Sequence, residues 1–388
     1  MTPCSAAQRP VVAADLGPRL PGRSHVGRMD TPTLPEARMS IHHARTPTRI
    51  DLAGGWTDVA RFAEEVPGAV LNYAITLYSH VRVEDAAGDR IALRSLDFDD
   101  ATDMPVDRAG DDGALAGPFG LVRAALRRRP VGRAVSIVSR SEAPPGSGLG
   151  TSAAMGVALV GALGSANGVT DDDRSIAETA VALETDELGN LSGKQDQYAS
   201  TLGGVQFMTF QGPDVTTTRI HRAAEELAEL RRRVVLVYTG QSRLSGDLHA
   251  HVVGRFEARE AGLLGALREI ASIAHGARDA FVAGSMPELA RCVAANWECQ
   301  KALYPGITTE EIETLAALGR RNGALGMKAC GAGGGGCLAF VAEDGAEGPL
   351  SAALEAAGAQ TLRYDIAQSG LLTWTGEREV QSSVSGMA

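Results

Sequence analysis

The stretch Pro144-Pro145-Gly146-Ser147-Gly148-Leu149-Gly150-Thr151-Ser152-Ala153-Ala154 constrains the fold more than any other part of the chain. Three of its glycines fall within five residues, and the sequence that follows, Met155 to Ala166, is apolar nearly all round. A helix with no polar face is a buried one, so the glycine turn must open a helix inside a core. Backbone amides converge at such a start, and the helix end adds partial positive charge; together they form a cradle for an anion. No lysine follows the last glycine, so the GxxxxGK[ST] order of a Walker loop is absent. The hydroxyls of Thr151 and Ser152 are placed either to cap the helix or to bind a metal.

A second loop, Lys328-Ala329-Cys330-Gly331-Ala332-Gly333-Gly334-Gly335-Gly336-Cys337, carries five glycines in six residues between apolar runs. Each glycine costs roughly 0.5–1 kcal/mol relative to alanine in regular structure. Close approach of backbone to a ligand justifies that cost. With 388 residues the chain exceeds one ordinary core and divides in two. We expect an extension over residues 1–40, an N-terminal domain over 41–210 and a C-terminal domain over 211–388. Strands and helices mix without regular alternation, which favours α+β over a doubly wound sheet. Two anion loops in two domains point to a nucleotide at their junction.

Composition narrows the partners. The net charge is −10, which opposes binding to a nucleic-acid backbone. Five cysteines, Cys4, Cys292, Cys299, Cys330 and Cys337, contain no CxxC pair, so a structural zinc site has no support. No apolar run reaches the length of a membrane span and the first 30 residues lack a signal-type stretch, so a cytoplasmic protein without membrane contact is expected. A homodimer is left open. His249-Ala250-His251 has a spacing seen in metal sites, but such pairs are usually solvated helix residues. Among the helices, Asp171–Leu188 is expected as one, and Thr308–Asn322 as another with Thr308 as N-cap and Glu311 reaching back. The residues after Thr375 read as frayed.

Three segments in order resemble the signatures of the GHMP kinase superfamily. Gly148-Leu149-Gly150-Thr151-Ser152-Ala153-Ala154 resembles its second motif, Lys328 to Gly336 its third, and Arg49-Ile50-Asp51-Leu52-Ala53-Gly54-Gly55-Trp56-Thr57-Asp58 the first motif of its sugar-kinase branch. The resemblance implies the two-domain GHMP fold, with ATP, Mg2+ and a sugar meeting in the cleft between domains. It implies that Pro145, Gly146, Ser147, Gly148, Leu149, Gly150, Thr151, Ser152 and Ala153, with Gly331, Gly333 and Gly334, hold the nucleotide. Ser152 and Glu184 match the metal ligands, Asp196 the general base, and Arg49 the basic residue paired with it and helping to stabilise the transferring phosphoryl group. Asp58, with Gly55, Trp56, Thr57 and Gly204, falls on the sugar side. Taken singly each has a plainer reading: Arg49 a surface charge or an ion pair, Asp58 a turn or cap residue, Glu184 a solvated carboxylate.

The Gly54-Gly55-Trp56-Thr57-Asp58 turn, Gln195-Asp196-Gln197-Tyr198-Ala199 and Tyr238 to Ser245 resemble the D-glycero-D-manno-heptose 7-phosphate kinases, and the turn also resembles fucokinases. Those relatives imply transfer to an anomeric hydroxyl of a sugar already phosphorylated at its far end. A kinase for a free sugar such as L-fucose, and a catalytically silent sugar-binding regulator, are the alternatives; a mevalonate-type kinase suits the polyol-like turn less well. A phosphate dianion on the sugar needs cationic and hydroxyl donors, for which Lys194, Ser242, Arg243 and Ser245 are candidates. Replacing Arg243 with Ala should then raise the KM for a sugar phosphate far more than that for ATP. An unchanged KM for the sugar phosphate removes Arg243 as the anchor.

Overall fold

A computed structural model describes residues 39–111, 115, 117–241 and 245–378. In chain order the strands are β1 (Met39–Ala53), β2 (Gly68–Asp85), β3 (Arg90–Ser95), β4 (Asp100–Pro105), β5 (Val135–Ser141), β6 (Val205–Gln211), β7 (Asp214–Ile220), β8 (Val234–Tyr238), β9 (Ala324–Ala329), β10 (Cys337–Ala342), β11 (Gln360–Thr361) and β12 (Leu372–Arg378). The helices are α1 (Ala60–Ala63), α2 (Gly120–Arg128), α3 (Thr151–Ala166), α4 (Asp173–Ala182), α5 (Gln195–Leu202), α6 (Ala224–Arg233), α7 (Ser245–Glu257), α8 (Leu263–Val282), α9 (Met286–Leu303), α10 (Glu310–Arg321) and α11 (Glu347–Ala356). The arrangement is α+β, as expected from the irregular order of elements.

Among the described residues, eight strands form the first sheet, in the order β12-β1-β2-β5-β3-β4, with β6 paired to β2 and β7 to β6. The long β2 serves two partners in succession along one edge: Gly68–Tyr73 pair with β6, and Ser79–Asp85 with β5. Four strands form the second sheet, β11-β8-β10-β9. The first sheet therefore continues past residue 210 into β7, and the chain returns to it at the end, because β12 pairs with β1 from Met39↔Arg378 to Arg45↔Leu372. The region after Thr375 is thus ordered as far as Arg378 by a ladder that no local pattern announced. Residues 1–38 and 379–388 lie outside the described residues.

Helix α3 is buried on every side between the first sheet and α2, α4 and α5, as its apolar sequence requires. Thr46 of β1 donates its hydroxyl to the Ala154 carbonyl at 2.6 Å and fixes the first turn of that helix to the sheet. Where one helix was expected over Asp171–Leu188, α4 ends at Ala182 and the chain widens into a π turn over Leu183–Glu187. The cap of α10 falls one residue later than expected, on Thr309, whose hydroxyl accepts from the Ile312 amide at 3.2 Å. Thr308 instead donates to Glu313.

One apolar core runs through both sheets. Ile50, Leu52, Tyr73, Ile75 and Phe207 of the first sheet pack with Leu236 and Ala339 of the second and with Ala274, Phe281 and Val293 of α8 and α9. Across it lies a fully buried ion pair: Lys328 Nζ of β9 donates to Asp51 Oδ2 of β1 at 2.7 Å and to the Asp51 carbonyl at 3.0 Å. Removing one partner of such a pair strands a charge in the core. Lys328→Met should lower unfolding stability by about 3–5 kcal/mol, read from urea midpoints, and the double variant with Asp51→Asn should recover much of the loss.

Candidate active site

The site is organised by the first turn of α5, whose consecutive side chains point to three different elements. Asp196 takes a two-pronged hydrogen bond from Arg49 of β1, Nε to Oδ1 and Nη2 to Oδ2, each 2.7 Å. Gln197 donates to Glu184 Oε2 on the π turn at 2.8 Å. Gln195 gives Asp58 both its backbone amide, at 3.0 Å, and its side-chain amide, at 3.3 Å. One helical turn thus joins the first motif, the π turn and the strand that carries Arg49.

Arg49 is 3% exposed and Asp196 23%, so the carboxylate, not the guanidinium, faces outward. Burial pulls the Arg49 pKa down, but Asp196 and Asp51 more than offset it, and the net shift is upward. The third arm, Nη1, donates to the Gly148 carbonyl at 2.7 Å, and the Arg49 amide donates to the Leu149 carbonyl at 3.0 Å. The same residue therefore holds both the carboxylate and the glycine turn before α3.

That turn places Gly146, Gly148 and Gly150 at φ of 66°, 73° and 75°, a left-handed backbone that glycine adopts freely. Gly150 is the N-cap of α3 and offers no side chain to the first-turn amides of Thr151, Ser152 and Ala153. A Cβ on Gly150 would stand 2.9 Å from Asp196 Oδ2, so the bare backbone also brings the carboxylate against the helix start. The glycine loop between β9 and β10 packs backbone to backbone on this turn: a Cβ on Gly148 would stand 2.4 Å from the Cys330 carbonyl, one on Gly331 2.8 Å from the Gly148 carbonyl. Cys337 donates its amide to the Ser147 carbonyl at 2.8 Å. Further along, Gly333 sits at φ 87° and Gly334 donates to the Ile307 carbonyl at 2.7 Å.

Ser152 donates its hydroxyl to Glu184 Oε1, and Ser192 donates to Oε2 at 3.3 Å. Glu184 is buried and, among the described residues, has only neutral donors around it; burial raises its pKa, opposed by the Ser152 hydrogen bond. A buried carboxylate without a cation is costly. Hydroxyl and carboxylate oxygens at a helix start are the donors a hard divalent cation prefers, so these two residues fit magnesium.

The first-motif turn is held from below and behind. Thr57 donates to the Gly54 carbonyl at 2.7 Å and accepts from the Ala69 amide at 3.1 Å. Gly55 leaves room for Asp51, whose Oδ2 would lie 2.2 Å from an added Cβ. Trp56 has φ 81° and is buried in the core beneath α7, its ring 4.6 Å from that of His249. His251, the other half of that pair, stacks on Tyr304 at 4.8 Å. Gly204 lies at the end of α5, its amide on the Ala367 carbonyl at 2.7 Å. Lys194 is half-buried and donates to the Pro213 carbonyl at 2.8 Å. Ser242 and Arg243 lie outside the described residues, as does the side chain of Ser245.

Sequence reasoning missed Gln195 and Gln197 as bridges, and the buried roles of Asp51, Lys328, Asn296 and Gln300. A lysine or carboxylate set between apolar neighbours in a strand was the only available signal for Asp51 and Lys328. Helix α9 gave none, since nothing local in its sequence separates a buried amide from a solvated one.

Burial is the largest cause of the Asp58 shift and the Asp196 charge adds to it, raising the carboxyl to about 6. A raised carboxyl favours the folded state when protonated. Its contribution is full below about pH 4, the ordinary aspartate value, and is lost as pH rises through about 6. Relative to wild type, Asp58→Asn should therefore gain stability between pH 4 and 7, by on the order of 2 kcal/mol. Urea midpoints of the two proteins across that range check it; parallel profiles would show that Asp58 titrates normally.

With this geometry in view, comparison with known proteins gives the family. Residues 119–204 match the GHMP kinases N terminal domain and residues 277–360 the GHMP kinases C terminal domain. The chain is 28% identical over 341 residues to the D-glycero-alpha-D-manno-heptose 7-phosphate kinase of Campylobacter jejuni, covering 87% of this chain and 99% of that one. It is 31% identical over 344 residues to the L-fucokinase/L-fucose-1-P guanylyltransferase of Bacteroides fragilis, covering 82% of this chain but 36% of that longer protein. Its fold superposes on Lactococcus lactis galactokinase complexed with galactose with a TM-score of 0.67 at 20% identity, over 88% of this chain and 95% of that one. The chain belongs to the GHMP kinases and is a kinase of their two-domain α+β fold.

Proposed function

We propose that this kinase moves the γ-phosphoryl group of ATP to the anomeric hydroxyl of a heptose already phosphorylated at its far end. The observation that carries the transfer chemistry is the outward-facing Asp196, clamped by Arg49 against the uncapped start of α3. Likeness over 99% of a heptose 7-phosphate kinase supports the choice of acceptor.

The residues divide the work as follows. The first-turn amides of α3 and the glycine backbones of both loops receive the phosphates, with no side chain to displace. Asp196 receives the proton of the acceptor hydroxyl as its oxygen bonds the γ-phosphorus, and the bond to the bridging oxygen of ADP breaks. Three of the Arg49 donors are committed to Asp196 and Gly148, so its main task is to orient the base. Two of its five N–H groups remain for phosphoryl oxygens. Ser152 and Glu184 would hold magnesium, which when bound neutralises charge on the group in transfer. Asp58, Gly55, Trp56, Thr57 and Gly204 form the acceptor side, and Lys194, Ser242 and Arg243 are the proposed donors to its far phosphate.

Likeness to a fucokinase gives a second reading, a free sugar such as L-fucose as acceptor. ADP release with ATP and magnesium, on heptoses, hexoses and their terminal phosphates supplied singly, separates the two. Turnover is expected on a heptose 7-phosphate, with kcat lost by about 10²-fold or more in Asp196→Asn and more magnesium required by Glu184→Gln. Turnover on free sugars alone favours the second reading. Silence across the panel would instead support a sugar-binding regulator.

A further inference from the structure

Two buried amides of α9 connect the acceptor turn to the glycine loop. The Gly54 amide donates to Asn296 Oδ1 at 2.8 Å, Asn296 Nδ2 donates to Gln300 Oε1 at 3.4 Å, and Gln300 Nε2 donates to the Gly331 carbonyl at 2.9 Å. Asn296 and Gln300 are fully buried and stand one helical turn apart, so their side chains meet on one face. The direction of the relay is fixed by its ends. A backbone amide can only donate and a carbonyl can only accept, so each side-chain amide has one permitted orientation.

Neither end of the relay is free to drift. A Cβ on Gly54, at φ 103°, would stand 2.0 Å from the Ala69 carbonyl, so that turn is pressed against β2. Gly331 is pressed against the turn that opens α3. The relay is therefore a spacer of fixed length between the segment that carries Asp58 and the loop closing over the phosphate cradle. Buried amides are expensive unless every partner is in place, whereas apolar side chains would fill the same space without that requirement. The polar choice holds two backbones at a set distance, which packing alone does less sharply.

We propose that Asn296 and Gln300 are positioning residues that set the separation of the acceptor from the phosphoryl donor. This rests on the kinase reading above. A misplacement of about 1 Å between reacting groups can cost on the order of 10²-fold in rate, so the effect belongs in kcat more than in KM.

The test uses the full chain with Gln300→Met, which keeps length and apolar bulk but removes the amide. Hydrogen exchange is followed in peptides covering 146–153 and 53–58, with and without a non-hydrolysable ATP analogue and magnesium. In wild type the nucleotide is expected to slow exchange in both peptides, directly in the first and through the relay in the second. In Gln300→Met the first protection persists and the second is lost, while kcat on the active acceptor falls roughly tenfold or more and each KM moves by less than about threefold. Asn296→Ser, whose hydroxyl is too short to bridge Gly54 and Gln300, carries the same test should the first variant not fold. Retained protection at 53–58, or an unchanged kcat, would overturn the relay while leaving the kinase standing. Absence of protection at 146–153 in wild type would remove the nucleotide reading and the relay with it.

Discussion

The Arg49–Asp196 pair is the interaction on which the rest of the site depends. Arg49 projects from a central strand into a space almost closed to water, and a guanidinium there must find partners for most of its donors in the protein. It does so with one carboxylate and with the backbone of the glycine turn before α3. The base and the phosphate cradle are consequently fixed relative to one another by a single side chain. That economy explains why the first turn of α5 can spend its other residues elsewhere, Gln195 on Asp58 and Gln197 on Glu184.

Around this pair the two glycine loops act as one surface. Neither tolerates a Cβ at the points of contact, because carbonyls of the other loop occupy that space. The glycines thus serve two ends, approach to a ligand and approach to each other. The loops come from elements with separate sheets but a shared apolar core, and the buried Asp51–Lys328 pair and the α9 amides cross the same boundary. Polar ties across an apolar core fix a distance and an orientation, which apolar packing does only loosely.

The acidic character of the chain and an anion cradle are compatible for a local reason. The donors at the start of α3 are backbone dipoles backed by Arg49, while Asp58, Glu184 and Asp196 are each engaged by nearby donors. Among the described residues Glu184 and Asp58 both have neutral donors alone, and of the two Glu184 lies against the Ser152 hydroxyl at the start of α3, which suits it to a cation.

Much of the fold and site was legible in the linear chain where the signal is local. The apolar circumference of Met155–Ala166 meant a buried helix, the glycines before it meant a turn with converging amides, and the three motifs in order carried the likeness to GHMP kinases. Those inferences concern neighbours in sequence, whose geometry follows from backbone sterics and periodicity. What only the tertiary structure decided are pairings between distant residues: β12 closing on β1, the π turn that aims Glu184 at Ser152, Lys328 meeting Asp51, and Asn296 and Gln300 reaching Gly54 and Gly331. A strand edge or a buried amide shows no preference for its partner until the core has brought the two together, so no local pattern could have named them.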